Sequence, residues 1–122
     1  MNLNVEKILI IGLGMIGSSI ALASKSKGIK VYGFDKSNNS IKEALEKNII
    51  DSKVESILDI NSKDFVKKVD LIIVAVPPKQ TLDVLNDLKD IWNTDVTITD
   101  TSSVKNHIKL NGASNIILSH PI

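Results

Sequence analysis

Three glycines, Gly12, Gly14 and Gly17, stand between an apolar run at Lys7–Ile11 and a helical pattern that begins near Met15. Alone, such glycines mark any turn. Here they follow a strand-like run and open a helix, and Asp35 closes the next apolar run, 23 residues beyond Gly12. Those are the conditions asked of a turn that cradles a dinucleotide. Gly12 permits the tight turn, Gly14 lacks the Cβ that would strike a pyrophosphate, and Gly17 lets the helix lie against the first strand. The N–H groups of Met15 and Ile16 then face the phosphates, with the helix dipole behind them. Asp35 is placed to accept hydrogen bonds from the two adenosine ribose hydroxyls. Its carboxylate would repel a 2′-phosphate, so NAD is the expected cofactor over NADP; Lys36 alongside could offset part of that repulsion.

A second set of candidates lies later, in VAVPP at 74–78, TDTSSVK at 99–105 and SHPI at 119–122. Each falls at the carboxyl end of a strand-like run, the edge where ligands gather in an open parallel sheet. The backbone of Val76 and Pro77 would line the nicotinamide side of such a site, although prolines there equally serve to end a strand. Thr101, Ser102 and Ser103 precede a helical pattern, where the ordinary role of such residues is N-capping. His120 titrates near neutral pH and could take a proton from a substrate hydroxyl as hydride leaves. A histidine in a loop equally serves as a surface residue, which is the reading of His107 within its polar helical stretch.

The elements that must position these residues alternate along the chain. Strands are expected at Lys7–Ile11, Val31–Asp35, Val54–Ile57, Leu71–Val76, Thr97–Asp100 and Ile116–Leu118. Helices are expected over 15–27, where Gly28 follows as a C-cap glycine, and from a capping box of Ser40 and Glu43 to about Lys47. Two short ones follow at 62–69 and 104–110. Leu82, Leu85, Leu88 and Trp92 recur at helical spacing and mark a further amphipathic helix. LIIVAV at 71–76 is apolar on both faces, as a central parallel strand covered by helices requires. The fold class that follows is α/β, a doubly wound parallel sheet in a single domain over 1–122.

Composition narrows the function. The chain has 122 residues, fifteen lysines, no arginine, fourteen acids and a net charge of +1. That balance, with 3% aromatic residues, offers neither a basic footprint nor a stacking surface for nucleic acid. No run approaches the roughly 18 unbroken apolar residues of a membrane helix, so no membrane partner is expected. The absence of cysteine removes disulfides and thiolate chemistry and agrees with a cytoplasmic location, the expected one. No spaced His, Cys or acidic set suggests a metal. An export signal is the rival reading of Lys7–Ser24, which ends in ALAS. Glu6 beside Lys7, glycines inside the apolar run and the later placement of Asp35 argue against it.

IIGLGMIGSSIALA, the YGFD strand end, DLIIVAVPP, TDTSSVK and SHPI, in that order, resemble the nucleotide-binding half of the prephenate dehydrogenase family and its arogenate-using relatives. The resemblance runs from about Lys7 to the last residue, and SVK followed by HPI is its most specific part. It implies a Rossmann NAD(P)-binding fold and oxidative decarboxylation of prephenate or arogenate in tyrosine biosynthesis. His120 would then accept a hydrogen bond from the ring hydroxyl of the substrate, with Ser103 beside it. Ser102 and Ser119 stand where the family commonly has glycine. The resemblance also implies a helical domain after Ile122 that makes a homodimer and supplies basic groups for the substrate carboxylates. A chain ending here is then expected to turn over little substrate by itself. Two rivals remain open: another dehydrogenase of the hydroxyacid type, and a non-catalytic NAD-binding or sensor module.

Overall fold

The computed structural model describes residues 5–61, 65, 68–92 and 94–101, together with a strand at 116–118. Its first strand, β1 (Lys7–Ile11), is aliphatic on both faces and runs through the turn at Gly12–Gly14 into α1 (Met15–Ser26). The chain continues through β2 (Lys30–Phe34), α2 (Asn38–Glu46), β3 (Ser52–Lys53) and the single turn α3 (Ile57–Ile60). Then come β4 (Leu71–Val74), α4 (Pro78–Asp87), a 3₁₀ turn at Lys89–Ile91, β5 (Thr97–Asp100) and β6 (Ile116–Leu118). The strands form one sheet in the order β3-β2-β1-β4-β5-β6. Every pairing is parallel, with Ile10 opposite Gly33 on one side of β1 and Ile73 on the other. The order reverses between β1 and β4, which places the crevice of a doubly wound fold beside the glycine turn.

Alternation along β1 divides the core. Ile8 and Ile10 face one layer with Val31, Ile73, Ala21 of α1 and Ile41 and Ala44 of α2. Leu9 and Ile11 face the other with Ile72, Val74, Ile98 and with Val84, Leu85, Leu88 and Ile91 from α4 and the turn after it. Because both faces are covered, β1 beyond Lys7 and all of β4 (LIIV at 71–74) carry only aliphatic side chains. The stretch that could pass for an export signal is thus the central strand and first helix of the sheet.

Several expectations need correction. The first turn of α2 is capped by Ser37, whose hydroxyl accepts from the Ser40 N–H at 3.2 Å. Ser40 and Glu43 therefore lie inside the helix, and the cap falls three residues earlier than the expected box. β3 is Ser52–Lys53, not Val54–Ile57; Val54 turns its side chain into the core, and Ile57 opens α3 under a Ser56 cap. β4 ends at Val74, where Ala75 N–H still donates to the Ile11 carbonyl at 2.7 Å. Leu82 is 47% exposed, so α4 turns inward through Thr81, Val84 and Leu85. The helix also stops at Asp87, and Trp92 reaches back from beyond the 3₁₀ turn, its Nε1–H donating to the Leu85 carbonyl at 2.8 Å.

Other expectations hold. Gly28 closes α1 with the paired bonds of a Schellman motif, Gly28 N–H to Lys25 O and Ile29 N–H to Ser24 O. Asn48, at φ 57°, closes α2 in the same way. Most of the helix expected at 62–69 lies outside the described residues, although Phe65 is helical and meets Tyr32 edge-on at 6.1 Å. The helix expected at 104–110 lies wholly outside them.

The direction of α4 is open to test. Leu85→Ala removes a fully buried side chain and should cost about 3 kcal/mol. Leu82→Ala, on the outward side, should cost under about 0.5 kcal/mol. Urea unfolding of both variants measures the contrast; equal losses would place Leu82 in the core.

Candidate functional site

The carboxyl ends of β1, β2, β4 and β5 open onto a cleft of about 1460 Å³. Its wall at β1 is the glycine turn. Gly12 has φ +102°, and a Cβ there would lie 2.6 Å from the Ala75 carbonyl oxygen. A Cβ on Gly17 would lie 1.8 Å from the Gly12 oxygen, because α1 presses directly on the turn. Both positions are therefore glycine for reasons internal to the fold. Gly14 differs: its φ is −76°, and a Cβ there would meet nothing within 4 Å. Neither backbone angle nor protein crowding demands glycine at 14. It stands at the N-cap of α1, a position where glycine is well tolerated, with its open side toward the cleft.

Neighbouring strands hold the turn from two directions. Gly12 N–H donates to the Phe34 carbonyl at 2.8 Å, and Ala75 N–H donates to the Ile11 carbonyl. Asp35 then ties the turn to the end of β2. Its Oδ2 accepts from Leu13 N–H and its Oδ1 from Ser37 N–H, each at 2.8 Å. The acid is therefore a staple as well as a cleft-lining group. Each carboxylate oxygen has a second lone pair, so these bonds leave acceptor capacity for ligand hydroxyls.

No side chain caps the amino end of α1, and the N–H groups of its first turn have no partner within the helix. Met15 and Ile16 are exposed there and line the cleft. Among the described residues, the charged lining is Asp35, Asp87 and Asp100 with Lys36. Backbone donors and the helix dipole at this turn suit an anion.

Of the residues expected from the sequence, Gly12, Gly14, Met15, Ile16, Asp35, Val76, Pro77 and Thr101 all line this one cleft. Gly17 stands behind the turn and sets its shape. Pro77 is the N-cap residue of α4 with Pro78 at its first position, so the prolines both end β4 and start the helix. Thr101 donates to the Val74 carbonyl from its N–H at 3.0 Å and its Oγ1 at 3.4 Å. Ser103 and His120 lie outside the described residues. The register pairs Asp100 with Leu118, so β6 ends two residues before His120.

Sequence reasoning passed over Asp100. Its side chain is 0% exposed at the last position of β5, on the lining of the cleft. An acid closing the short β-branched strand TITD, at the edge where ligands gather, was the available signal, since a carboxylate is seldom buried without a specific partner. Gln80 and Asp87 were also passed over, because helix spacing drew attention only to the apolar residues of α4.

The packing of α1 yields a direct test. Gly17→Ala forces a methyl group into the Gly12 carbonyl, where only backbone movement relieves the clash, and should cost at least about 3 kcal/mol. Thermal unfolding measures it; an unchanged midpoint would mean that α1 does not approach the turn so closely.

Comparison with known proteins gives this geometry its relatives. The family model described as prephenate dehydrogenase, nucleotide-binding domain, matches residues 20–122. A prephenate dehydrogenase of Lactococcus lactis subsp. cremoris is 41% identical over 110 residues, covering 84% of this chain and 28% of that protein. Another, of Bacillus subtilis, is 35% identical over 111 residues, covering 88% of this chain and 29% of that protein. The chain thus spans less than a third of the length of these curated relatives. The crystal structure of prephenate dehydrogenase from Aquifex aeolicus, in complex with hydroxyphenyl propionate and NAD+, superposes with a TM-score of 0.79 at 28% identity. It is matched by 100% of this chain over 43% of its own length. The family match covers most of the chain and coincides with a sheet that reverses at the glycine turn: this chain belongs to the prephenate dehydrogenase family, as its nucleotide-binding domain.

Proposed function

We propose that the cleft binds NAD and that, in a protein of its relatives' length, this domain serves the NAD-dependent oxidative decarboxylation of prephenate or arogenate. The observation that carries the reading is Gly14. No atom of the fold crowds this N-cap glycine on its cleft side, and a pyrophosphate laid on the N–H groups of Met15 and Ile16 needs the space that a Cβ would take. The family match begins at residue 20, so the role of the turn rests on its own geometry. The relative solved with NAD+ supports the same cofactor here. Asp35 accepts from the ribose hydroxyls while it keeps the turn stapled to β2. Gly12 and Gly17 fix the turn, and Val76, Pro77 and Thr101 border the nicotinamide end. Lys36 is the one cation on the lining among the described residues, and with the Asp35 carboxylate tied to the turn the balance favours NAD over NADP.

When bound, NAD supplies the hydride acceptor. The chain supplies orientation and proton handling. Hydride leaves the ring carbon that bears the hydroxyl group, and His120 takes the hydroxyl proton. Ser103 holds the histidine or the hydroxyl in place. Carbon dioxide is then lost as the ring becomes aromatic, and the proton returns to the phenolic oxygen. Both assignments come from the resemblance of TDTSSVK and SHPI to the family motifs. With no arginine in the chain, bidentate recognition of the substrate carboxylates has to come from elsewhere.

Two measurements test this. Gly14→Ala, at the N-cap of α1, should cost no more than about 1 kcal/mol of stability and weaken NAD binding at least tenfold by calorimetry; unchanged affinity would overturn the placement of the pyrophosphate. In a protein extended to its relatives' length, His120→Asn should lower kcat by about 10²–10⁴ with NAD affinity within twofold of the parent. Equal losses in both would make His120 a structural residue.

A further inference from the structure

Asp100 differs from the other charged groups described on the cleft lining in both place and burial. Asp35 and Lys36 stand at the end of β2, and Asp87 stands on α4. Asp100 is the last residue of β5 and is fully buried, a property it shares among the described polar side chains with Thr81. Alternation along TITD puts Ile98 and Asp100 on one face, and Ile98 belongs to the core layer under α4. The register partners of Asp100 are Val74 on β4 and Leu118 on β6, both apolar. Thr101, bonded to the Val74 carbonyl through its N–H and its Oγ1, fixes the backbone directly after it. The acid is thus set into an aliphatic rim at a fixed strand end, where a carboxylate calls for a matched donor.

We propose that Asp100 is the positioning residue for His120. The inference rests on the reading of His120 as the group that takes the substrate hydroxyl proton. Leu118 stands opposite Asp100, and His120 is the second residue after Leu118. Two residues along an extended chain restore the same face and advance about 6.5 Å, and neighbouring strands lie about 4.8 Å apart. A chain that keeps the direction of β6 therefore carries residue 120 to about 8 Å from Asp100, backbone to backbone, on the same face. An aspartate and a histidine together bridge that gap. His120 donates the N–H of one ring nitrogen to the carboxylate, which leaves the other nitrogen to accept the substrate proton. The proton stays on the imidazole and none passes to Asp100, whose fixed charge stabilises the imidazolium in buried surroundings. Asp35 and Asp87 do not compete for this role: Asp35 already accepts from Leu13 and Ser37 N–H, and Asp87 lies on α4, not on the strand paired with β6.

Titration of the two histidines of the chain by NMR tests the pairing, with His107 as the internal reference. The His120 midpoint should lie at least about one pH unit above that of His107, and its neutral ring should be a single tautomer. Asp100→Asn should lower the His120 midpoint by about one unit and leave that of His107 in place. A His120 midpoint at or below that of His107 in the parent chain would overturn the pairing, whether or not the variant folds. An unshifted His120 midpoint in a folded Asp100→Asn chain would overturn it as well. In a protein extended to its relatives' length, Asp100→Asn should lower kcat about tenfold or more with NAD affinity within about twofold of the parent. An unchanged kcat there would overturn the positioning role. A His120→Asn variant with parental kcat would instead overturn the reading of His120 as proton acceptor, and the midpoints would still decide the pairing.

Discussion

Helix α1 is seated with Gly17 against the carbonyl of Gly12, so close that one added carbon at residue 17 would overlap the oxygen. That contact seats the start of α1 at the cleft, which Met15 and Ile16 of its uncapped first turn line. The carbonyl it presses on belongs to a residue with φ of +102°, itself crowded by Ala75 at the end of β4. β1, α1 and β4 thus meet at a point where no side chain fits. Strand order reverses at that same point, so the crevice and the donors that can fill it arise from one packing constraint.

Asp35 links this constraint to β2. A carboxylate that only read a ligand would be free to turn away until the ligand arrived. Here each oxygen already accepts a backbone N–H, one from Leu13 in the turn and one from Ser37 at the cap of α2. The acid is oriented before any ligand binds, at no later entropic cost.

Much of this was legible in the sequence. Aliphatic runs bounded by glycine and proline marked β1 and β4, because strands covered on both faces carry few polar side chains. The glycine spacing located the turn and assigned Gly12 and Gly17 correctly to a tight bend and a close approach. Other features depended on tertiary contacts. Ser37 caps α2 because Asp35 already holds its N–H, a relation that a window search for a capping box does not see. β3 has two residues, too few to leave a periodic pattern. Leu82 fitted a helical apolar stripe by spacing alone; only the layer beneath α4 decides that Thr81 points inward and Leu82 outward. Asp100 and Asp87 were missed for a related reason, since their placement in the cleft is a property of the sheet edge. Ser103 and His120 rest on motif resemblance.

The central claim is that Gly12–Gly17 is shaped for a pyrophosphate and that Asp35 stands at the ribose beside it. The most direct measurement is a titration of the ¹⁵N-labelled chain with NAD, followed by amide NMR. The account predicts progressive, saturable shifts at the N–H groups of Gly14, Met15 and Ile16 and at those of Leu13 and Ser37, which Asp35 holds. Resonances at the far edge, such as those of α2 beyond its first turn, should stay in place. Shifts confined to other surfaces, or none at millimolar NAD, would contradict it.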